Sequence, residues 1–208
     1  EPQIYELIAQ RQIPYVLTWA LDTSGTRPCV GFNNRAAALQ LTNHLLELGH
    51  REFAMISGVT INNERARDRL EGVRDALAAR GIRLGNERVI EKPYSLASGR
   101  EGLRALMASP NPPTAVMCGN DVLAIGAIAE CNTLGIAVPH EVSVTGFDDM
   151  EIASLLSPGL TTVHFPTAEL GAYAAQHLLA RLGGRPYEKR TELPVELVVR
   201  GSTAPPAI

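Results

Sequence analysis

Short apolar segments alternate with segments of helical periodicity along most of the chain, and this alternation constrains the fold more than any other feature. The segments FAMISG, TAVMCG and EVSVTGF have the composition of buried strands, and amphipathic stretches such as ERARDRLEGVRDALAARG separate them. Strands that alternate with helices in this way form parallel sheets covered by helices. Because the connections in such units are short and right-handed, the sequence predicts an α/β fold with a doubly wound parallel sheet.

The pattern changes at both ends of this alternating region. A helical segment, PQIYELIAQRQ, and one strand, PYVLTW, precede the junction RPCVGF. Two elements cannot bury themselves as a lobe, so we expect residues 1–32 to pack on the main body or to belong to a lobe that lacks its upstream elements. After LTTVHFP, a helix is predicted between Pro166 and the pair Gly183 and Gly184, and ELPVELVVRGS is predicted to form a late strand or hairpin.

Composition and motifs exclude several classes of function. The 208 residues carry a formal charge of −3, so any contact with DNA is expected to come from residues outside this chain. The 3 cysteines form no CxxC pair, which favours reduced, buried thiols in a cytoplasmic protein over a disulfide framework or a zinc site. No membrane span, signal peptide, GxGxxG, Walker, GxSxG or HExxH motif is present. We therefore predict a protein with no enzymatic activity, cofactor or metal.

Polar residues follow the carboxyl ends of two predicted strands, which is where open α/β sheets bind ligands. Asn120 and Asp121 follow TAVMCG, and Asp148 and Asp149 follow EVSVTGF. Helix capping or a solvated turn is the competing explanation, and we expect Asp121 to be a helix cap. The amide of Asn120 offers a donor and an acceptor to a hydroxyl group, and a carboxylate such as that of Asp148 accepts hydroxyl hydrogen bonds. Both explanations stay open at this edge of the sheet.

Three further polar residues, Asn63, Arg65 and Arg69, follow the strand FAMISG at the start of the next helix. Arg65 and Arg69 are four residues apart and share one helix face. A solvated face is the simpler explanation, since arginine is mostly exposed in proteins. An arginine near the positive end of a helix dipole is unfavourable, however, so an anionic or hydroxyl-rich partner would explain the placement better.

Three aromatic residues, Trp19, Tyr94 and Phe165, lie at or near predicted strand exits. Each by itself is more often a core residue than a ligand platform. Together with converging Asn, Asp and Arg side chains, they are typical of a pocket that stacks the apolar face of a sugar and hydrogen-bonds its hydroxyl groups.

Six motifs occur in an order that resembles the effector-binding part of lactose-repressor-type (LacI family) bacterial transcriptional regulators. They are RAAALQLTNHLLELGHREFAMISG, RLEGVRDAL, AVMCGNDVLAIGAI, LGIAVPHEVSVTGFDD, SPGLTTVHFP and LPVELVVRGST, and the junction VGFNNRAAA resembles the gluconate-repressor branch. The resemblance implies a two-lobed periplasmic-binding-protein-like fold with a doubly wound parallel sheet in each lobe. Residues 1–32 and 163–185 would form part of an incomplete amino-terminal lobe, and residues 33–161 and 186–208 the carboxy-terminal lobe.

The resemblance also implies a function and a site. A small sugar or sugar acid would bind between the lobes and control DNA binding in a homodimer, with operator DNA bound by an amino-terminal helix-turn-helix that this chain lacks. The implied ligand-binding residues are Trp19, Asn63, Arg65, Arg69, Tyr94, Asn120, Asp148 and Phe165. Trp19 stands where many members carry an acid, so its contact with the effector is expected to differ. A periplasmic sugar receptor of a transporter shares the fold and is the alternative, whereas a sugar-modifying enzyme would need a catalytic base that no motif marks.

Overall fold

The computed structural model describes residues 2–22 and 24–207. The chain divides into two compact units: unit 1 comprises Glu1–Asn33 and Phe165–Val195, and unit 2 comprises Asn34–His164 and Glu196–Ile208. Residues 1, 23 and 208, which fall within the predicted lobes, lie outside the described residues.

The secondary structure alternates between helices and strands, as the sequence predicts. In chain order the elements are α1 (Pro2–Gln10), β1 (Leu17–Thr18), β2 (Cys29–Gly31), α2 (Asn34–Glu47), β3 (Phe53–Gly58), α3 (Glu64–Ala78), a 3-10 turn (Asn86–Arg88), β4 (Val89–Lys92), α4 (Leu96–Met107), β5 (Ala115–Cys118), α5 (Asp121–Leu134), β6 (Ser143–Thr145), α6 (Glu151–Leu155), β7 (Thr162–His164), α7 (Thr167–Leu182), β8 (Arg190–Glu192) and β9 (Glu196–Val198). Among the described residues, no helix is long and apolar enough to cross a membrane.

Unit 1 is built on a three-stranded parallel sheet in the order β1-β2-β8. Its small core contains Val30 of the central strand, Leu170 and Ala174 of α7, and Leu193 just after β8. The central strand β2 lies within RPCVGF, which the sequence pattern treats only as a junction. The prediction of a helix between Pro166 and the glycine pair is confirmed, since α7 begins at Thr167 and ends at Leu182.

Of the two forms predicted for the segment ELPVELVVRGS, the late strand is confirmed as β9 and the hairpin is wrong. The segment is not a hairpin, because β8 pairs with β2 in unit 1, whereas β9 pairs antiparallel with β7 in unit 2. For the same reason residues 186–195 lie in unit 1 rather than in the lobe that was expected to resume at residue 186. The pairing of β7 with β9 likewise keeps residues 163 and 164 in unit 2 rather than in the amino-terminal lobe.

Unit 2 is built on a four-stranded parallel sheet in the order β4-β3-β5-β6, covered by helices on both faces. Successive strand residues point to opposite faces. Ile56 and Val116 lie in a core cluster with residues of α4 and α5. Met117 faces the opposite side, where its sulfur lies 3.7 Å from the hydroxyl of Thr42 on α2. The predicted α/β fold with parallel sheets is therefore confirmed, and unit 2 is doubly wound.

Candidate functional site

Six of the eight predicted ligand-binding residues lie in unit 2, where they follow the carboxyl ends of its parallel strands. Asn63, Arg65 and Arg69 come after β3, Tyr94 after β4, Asn120 after β5 and Asp148 after β6. Since the carboxyl ends of parallel strands meet at one edge of a sheet, a single edge of unit 2 carries all six.

Arg69 is buried at this edge, with only 6% of its surface exposed. Its Nε donates to Oδ1 of Asn34 at 2.9 Å, and its Nη1 donates to the carbonyl oxygen of Gly119 at 2.6 Å. The guanidinium carbon lies 3.7 Å from the centre of the Phe147 ring, in a cation–π contact. Burial lowers the pKa of Arg69 and the nearby Asp148 opposes this shift. Because an arginine nonetheless stays protonated in proteins, these contacts hold a fixed positive charge in a desolvated position.

Asp148 brings a carboxylate to the same place. Its Oδ1 lies 3.7 Å from Nη1 of Arg69, which is within ion-pair range but beyond a hydrogen bond. Burial raises the pKa of Asp148 to about 6. The positive charge of Arg69 lowers this pKa, the negative charge of Asp121 raises it, and the positive charge of Arg65 lowers it. The backbone of Asp148 has φ 127°, which a residue with a side chain rarely adopts. A partly exposed carboxylate is thus held beside a buried guanidinium without being fully neutralised by it.

The helix cap at the start of α5 is Asn120, so the prediction that Asp121 is the cap is wrong. Oδ1 of Asn120 accepts from the amide of Leu123 at 3.0 Å. Asp121 is instead fully buried in the first turn, where its carboxylate accepts from Thr162 Oγ1 at 2.6 Å and from the Met150 amide at 2.7 Å. Burial raises the pKa of Asp121, and these hydrogen bonds oppose the shift. Asp121 therefore ties α5 to the loop after β6 and to β7.

The other polar residues of this edge are placed less deeply. Asn63 caps α3, with Oδ1 accepting from the amide of Ala66 at 3.2 Å. Arg65 is exposed, and no hydrogen bond or ion pair of its side chain is seen within the described part of the chain. Tyr94 is 42% exposed, and its hydroxyl lies so close to Gly58 that a Cβ there would collide with it. Capping thus accounts for the oxygen of Asn63, while Arg65 and Tyr94 remain accessible.

The two remaining predicted residues, Trp19 and Phe165, belong to unit 1. Their rings meet edge to face with centroids 5.0 Å apart, and Phe165 also stacks on Phe32 at 4.6 Å. Phe165 is 1% exposed, so its aromatic surface is occupied by packing. Trp19 is half-buried and has φ 73°.

Two contributors to the Arg69 environment were not identified from the sequence. Asn34 is 2% exposed and begins α2, and the sequence pattern treated it only as a helix start signal. Phe147 directly precedes Asp148 but reads as an ordinary core residue. Neither contact can be predicted from a short stretch of sequence, because both Asn34 and Phe147 are far from Arg69 along the chain; Asn34 is 35 residues away.

The arrangement suits the recognition of hydroxyl groups. A buried arginine donates only, a carboxylate with a pKa near 6 accepts when ionised, and an amide can do either. Within residues 2–22 and 24–207, no group of three or more His, Cys, Asp or Glu side chains could hold a metal ion.

Comparison with known proteins identifies the family. Residues 42–203 match the model of the periplasmic binding protein-like domain. The chain is 34% identical over 162 residues to the HTH-type transcriptional repressor PurR of Photobacterium profundum, covering 77% of this chain and 48% of that protein. It thus spans about half the length of the curated relatives it matches.

Solved structures agree with this assignment. The transcription regulator GntR from Chromobacterium violaceum is 36% identical with a TM-score of 0.88, and the match covers 98% of this chain and 74% of that one. A transcriptional regulator CelR in complex with cellobiose is 30% identical with a TM-score of 0.88, over 96% of this chain and 62% of that one. The predicted periplasmic-binding-protein-like fold is therefore confirmed, and the chain belongs to the LacI family of transcriptional regulators, of which it carries the effector domain.

Proposed function

We propose that this chain senses a small sugar or sugar acid, which binds at the carboxyl edge of the unit 2 sheet and controls DNA binding by the regulator that contains it. The observation that carries the proposal is the buried guanidinium of Arg69, held by Asn34 and Gly119 beside the carboxylate of Asp148. A buried guanidinium is costly unless its donors are hydrogen-bonded, and the Asp148 carboxylate lies beyond hydrogen-bond distance of it. A polyhydroxylated ligand would supply the missing hydrogen bonds.

The roles follow from the donors and acceptors that remain. Two nitrogens of Arg69 are committed to Asn34 and Gly119, which leaves Nη2 to donate to a hydroxyl or carboxylate oxygen of the effector. Asp148 would accept from hydroxyl groups, and the amide nitrogen of Asn120 would donate because its oxygen is used by the helix cap. Tyr94 offers an exposed aromatic surface to the apolar face of a sugar. Contacts from Asn63, Arg65, Trp19 and Phe165 stay predictions.

The regulatory part of the proposal rests on the relatives. PurR and CytR are named as HTH-type transcriptional repressors, and CelR is described in complex with cellobiose. By analogy, this chain would act without catalysis in the cytoplasm, as part of a homodimer whose operator contacts come from other residues. The alternative of a periplasmic receptor is less favoured, because the relatives reported above are regulators.

Thermal shift followed by calorimetric titration tests the proposal with a panel of cellobiose, ribose and gluconate. We expect at least one compound to stabilise the chain. Arg69→Lys, which keeps the charge but loses the fixed donor geometry, should then bind about ten- to a hundredfold more weakly, the range for a charge-assisted hydrogen bond of about 1.5 to 3 kcal/mol. Asp148→Asn should also weaken binding.

Arg80→Lys is the matched control, since Arg80 is exposed just beyond α3. It should bind like the parent. Parent-like affinity in both Arg69→Lys and Asp148→Asn would show that this edge is not the effector site.

A further inference from the structure

Two consecutive residues of the loop after β6, Asp148 and Asp149, have positive φ values of 127° and 53°. Neither is glycine, so both conformations are unfavourable and persist only when surrounding contacts hold them. Asp148 is also the residue whose carboxylate lies beside Arg69. The direction of that carboxylate therefore depends on whatever holds this pair of residues.

Backbone hydrogen bonds supply part of the restraint. The amide of Asp148 donates to the carbonyl of Val163 at 3.0 Å, and the amide of Gly146 donates to the carbonyl of Thr161 at 2.9 Å. The amide of Asp149 reaches Thr162 Oγ1 only at 3.4 Å, which is a long hydrogen bond. The loop is thus aligned along β7, but its last strained residue is weakly held by the backbone.

The side chain of Asp149 supplies the rest. Its Oδ2 is hydrogen-bonded to Nδ1 of His164 at 3.0 Å, and its Oδ1 forms an ion pair with Nη2 of Arg200 at 2.7 Å that lacks hydrogen-bond geometry. Arg200 is itself anchored, because its Nη1 donates to the carbonyl of Leu160 at 2.9 Å. The Asp149 side chain is only 15% exposed, so this ion pair is shielded from solvent better than a surface pair.

The partners of Asp149 lie close to the points where the chain passes between the two units. His164 is the last residue of unit 2 before the chain enters unit 1, and Arg200 follows the strand β9 that begins at the return, Glu196. The carboxylate of Asp149 therefore links the loop that carries Asp148 to β7, through His164, and to the segment just after β9, through Arg200.

We propose that Asp149 is a positioning residue that holds Asp148 in its ligand-binding conformation through His164 and Arg200, without contacting the effector itself. Its effect on affinity rests on the function proposed above, whereas its effect on the loop does not. The two claims are therefore tested by different measurements.

Amide hydrogen exchange measured by NMR on the ligand-free chain tests the effect on the loop. In Asp149→Ala we expect the amide of Asp148 to exchange about tenfold faster or more, the change that corresponds to one lost charge-assisted hydrogen bond. Amides of β5 should be unchanged. Glu151→Gln, which removes an exposed carboxylate two residues away, is the control and should exchange like the parent. Arg200→Gln provides a second variant that leaves the loop sequence intact, and it should also accelerate exchange at Asp148.

Titration with cellobiose, ribose and gluconate tests the effect on affinity. Any compound that binds the parent should bind Asp149→Ala about tenfold more weakly and Glu151→Gln equally well. If none of the three binds the parent but exchange at Asp148 accelerates, the positioning of the loop is supported and the proposed ligand class fails. Parent-like exchange at Asp148 in both Asp149→Ala and Arg200→Gln would overturn the proposal, and so would unchanged affinity in Asp149→Ala.

Discussion

Replacing Asp148 by Asn should make the folded chain more stable near neutral pH, even though it is expected to weaken effector binding. Burial raises the pKa of Asp148 from its ordinary value of 3.8 to about 6, against the opposing effect of Arg69. Near neutral pH the carboxylate is ionised, and the folded chain holds that charge less favourably than the unfolded chain does. An uncharged amide of the same shape removes this penalty.

The size of the effect follows from the two pKa values. The interval between 3.8 and about 6 corresponds to about 3 kcal/mol, since each pKa unit is worth about 1.4 kcal/mol. Because the folded-state pKa is the higher one, the stabilisation contributed by the protonated carboxyl is fully present below pH about 4 and is lost as the pH rises through about 6. The advantage of Asp148→Asn over the parent should therefore be near zero at pH about 4 and approach about 3 kcal/mol at pH about 7.5.

Urea unfolding at both pH values measures this difference. Far-UV circular dichroism follows both units, and the emission of Trp19, the only tryptophan, follows unit 1 separately. Glu151→Gln, which removes an exposed carboxylate three residues further along the chain, is measured alongside as the control variant. If the stability of Asp148→Asn relative to the parent is the same at both pH values, or falls as the pH rises, the reasoning from burial is refuted.

Two further predictions concern the start of α5, each checked by the change in free energy of unfolding in urea. Asp121→Ala leaves the hydroxyl of Thr162 and the amide of Met150 without their acceptor, so we expect the free energy of unfolding to fall by about 2 to 5 kcal/mol. Asp121→Asn keeps one acceptor oxygen and should cost clearly less. Equal losses in the two variants would contradict the pairing of Asp121 with Thr162 and Met150. Asn120→Ala removes only the cap on the Leu123 amide and should cost about 1 kcal/mol, and Asn120→Ser, which retains a capping oxygen, should recover most of it. A larger loss for Asn120→Ala than for Asp121→Ala would reverse the two roles.

The order of helices and strands could be predicted from local pattern because helix and strand periodicities are properties of short segments. The bounds of α7 and the position of Arg69 beside an apolar helix stripe could be predicted in this way. So was the gathering of polar residues at one edge of unit 2, since parallel strands bring their carboxyl ends together. The strand that β8 pairs with could not be predicted, because β8 is three residues long and largely exposed, with no apolar alternation to indicate its neighbour.

The roles of individual polar residues at the candidate site required the tertiary structure. The sequence by itself determined that Asn120, Asp121, Asp148 and Asp149 follow two strands. It could not determine which of two adjacent residues caps a helix, because Asn and Asp have similar capping preferences. The acceptor role of Asp121 depends on Thr162, which is 41 residues away, and the ion pair of Asp149 depends on Arg200, in a segment that returns from unit 1. Burial, which raises the pKa of Asp148 and holds Arg69 in a desolvated position, likewise arises from contacts between distant segments, and only the folded chain decides it.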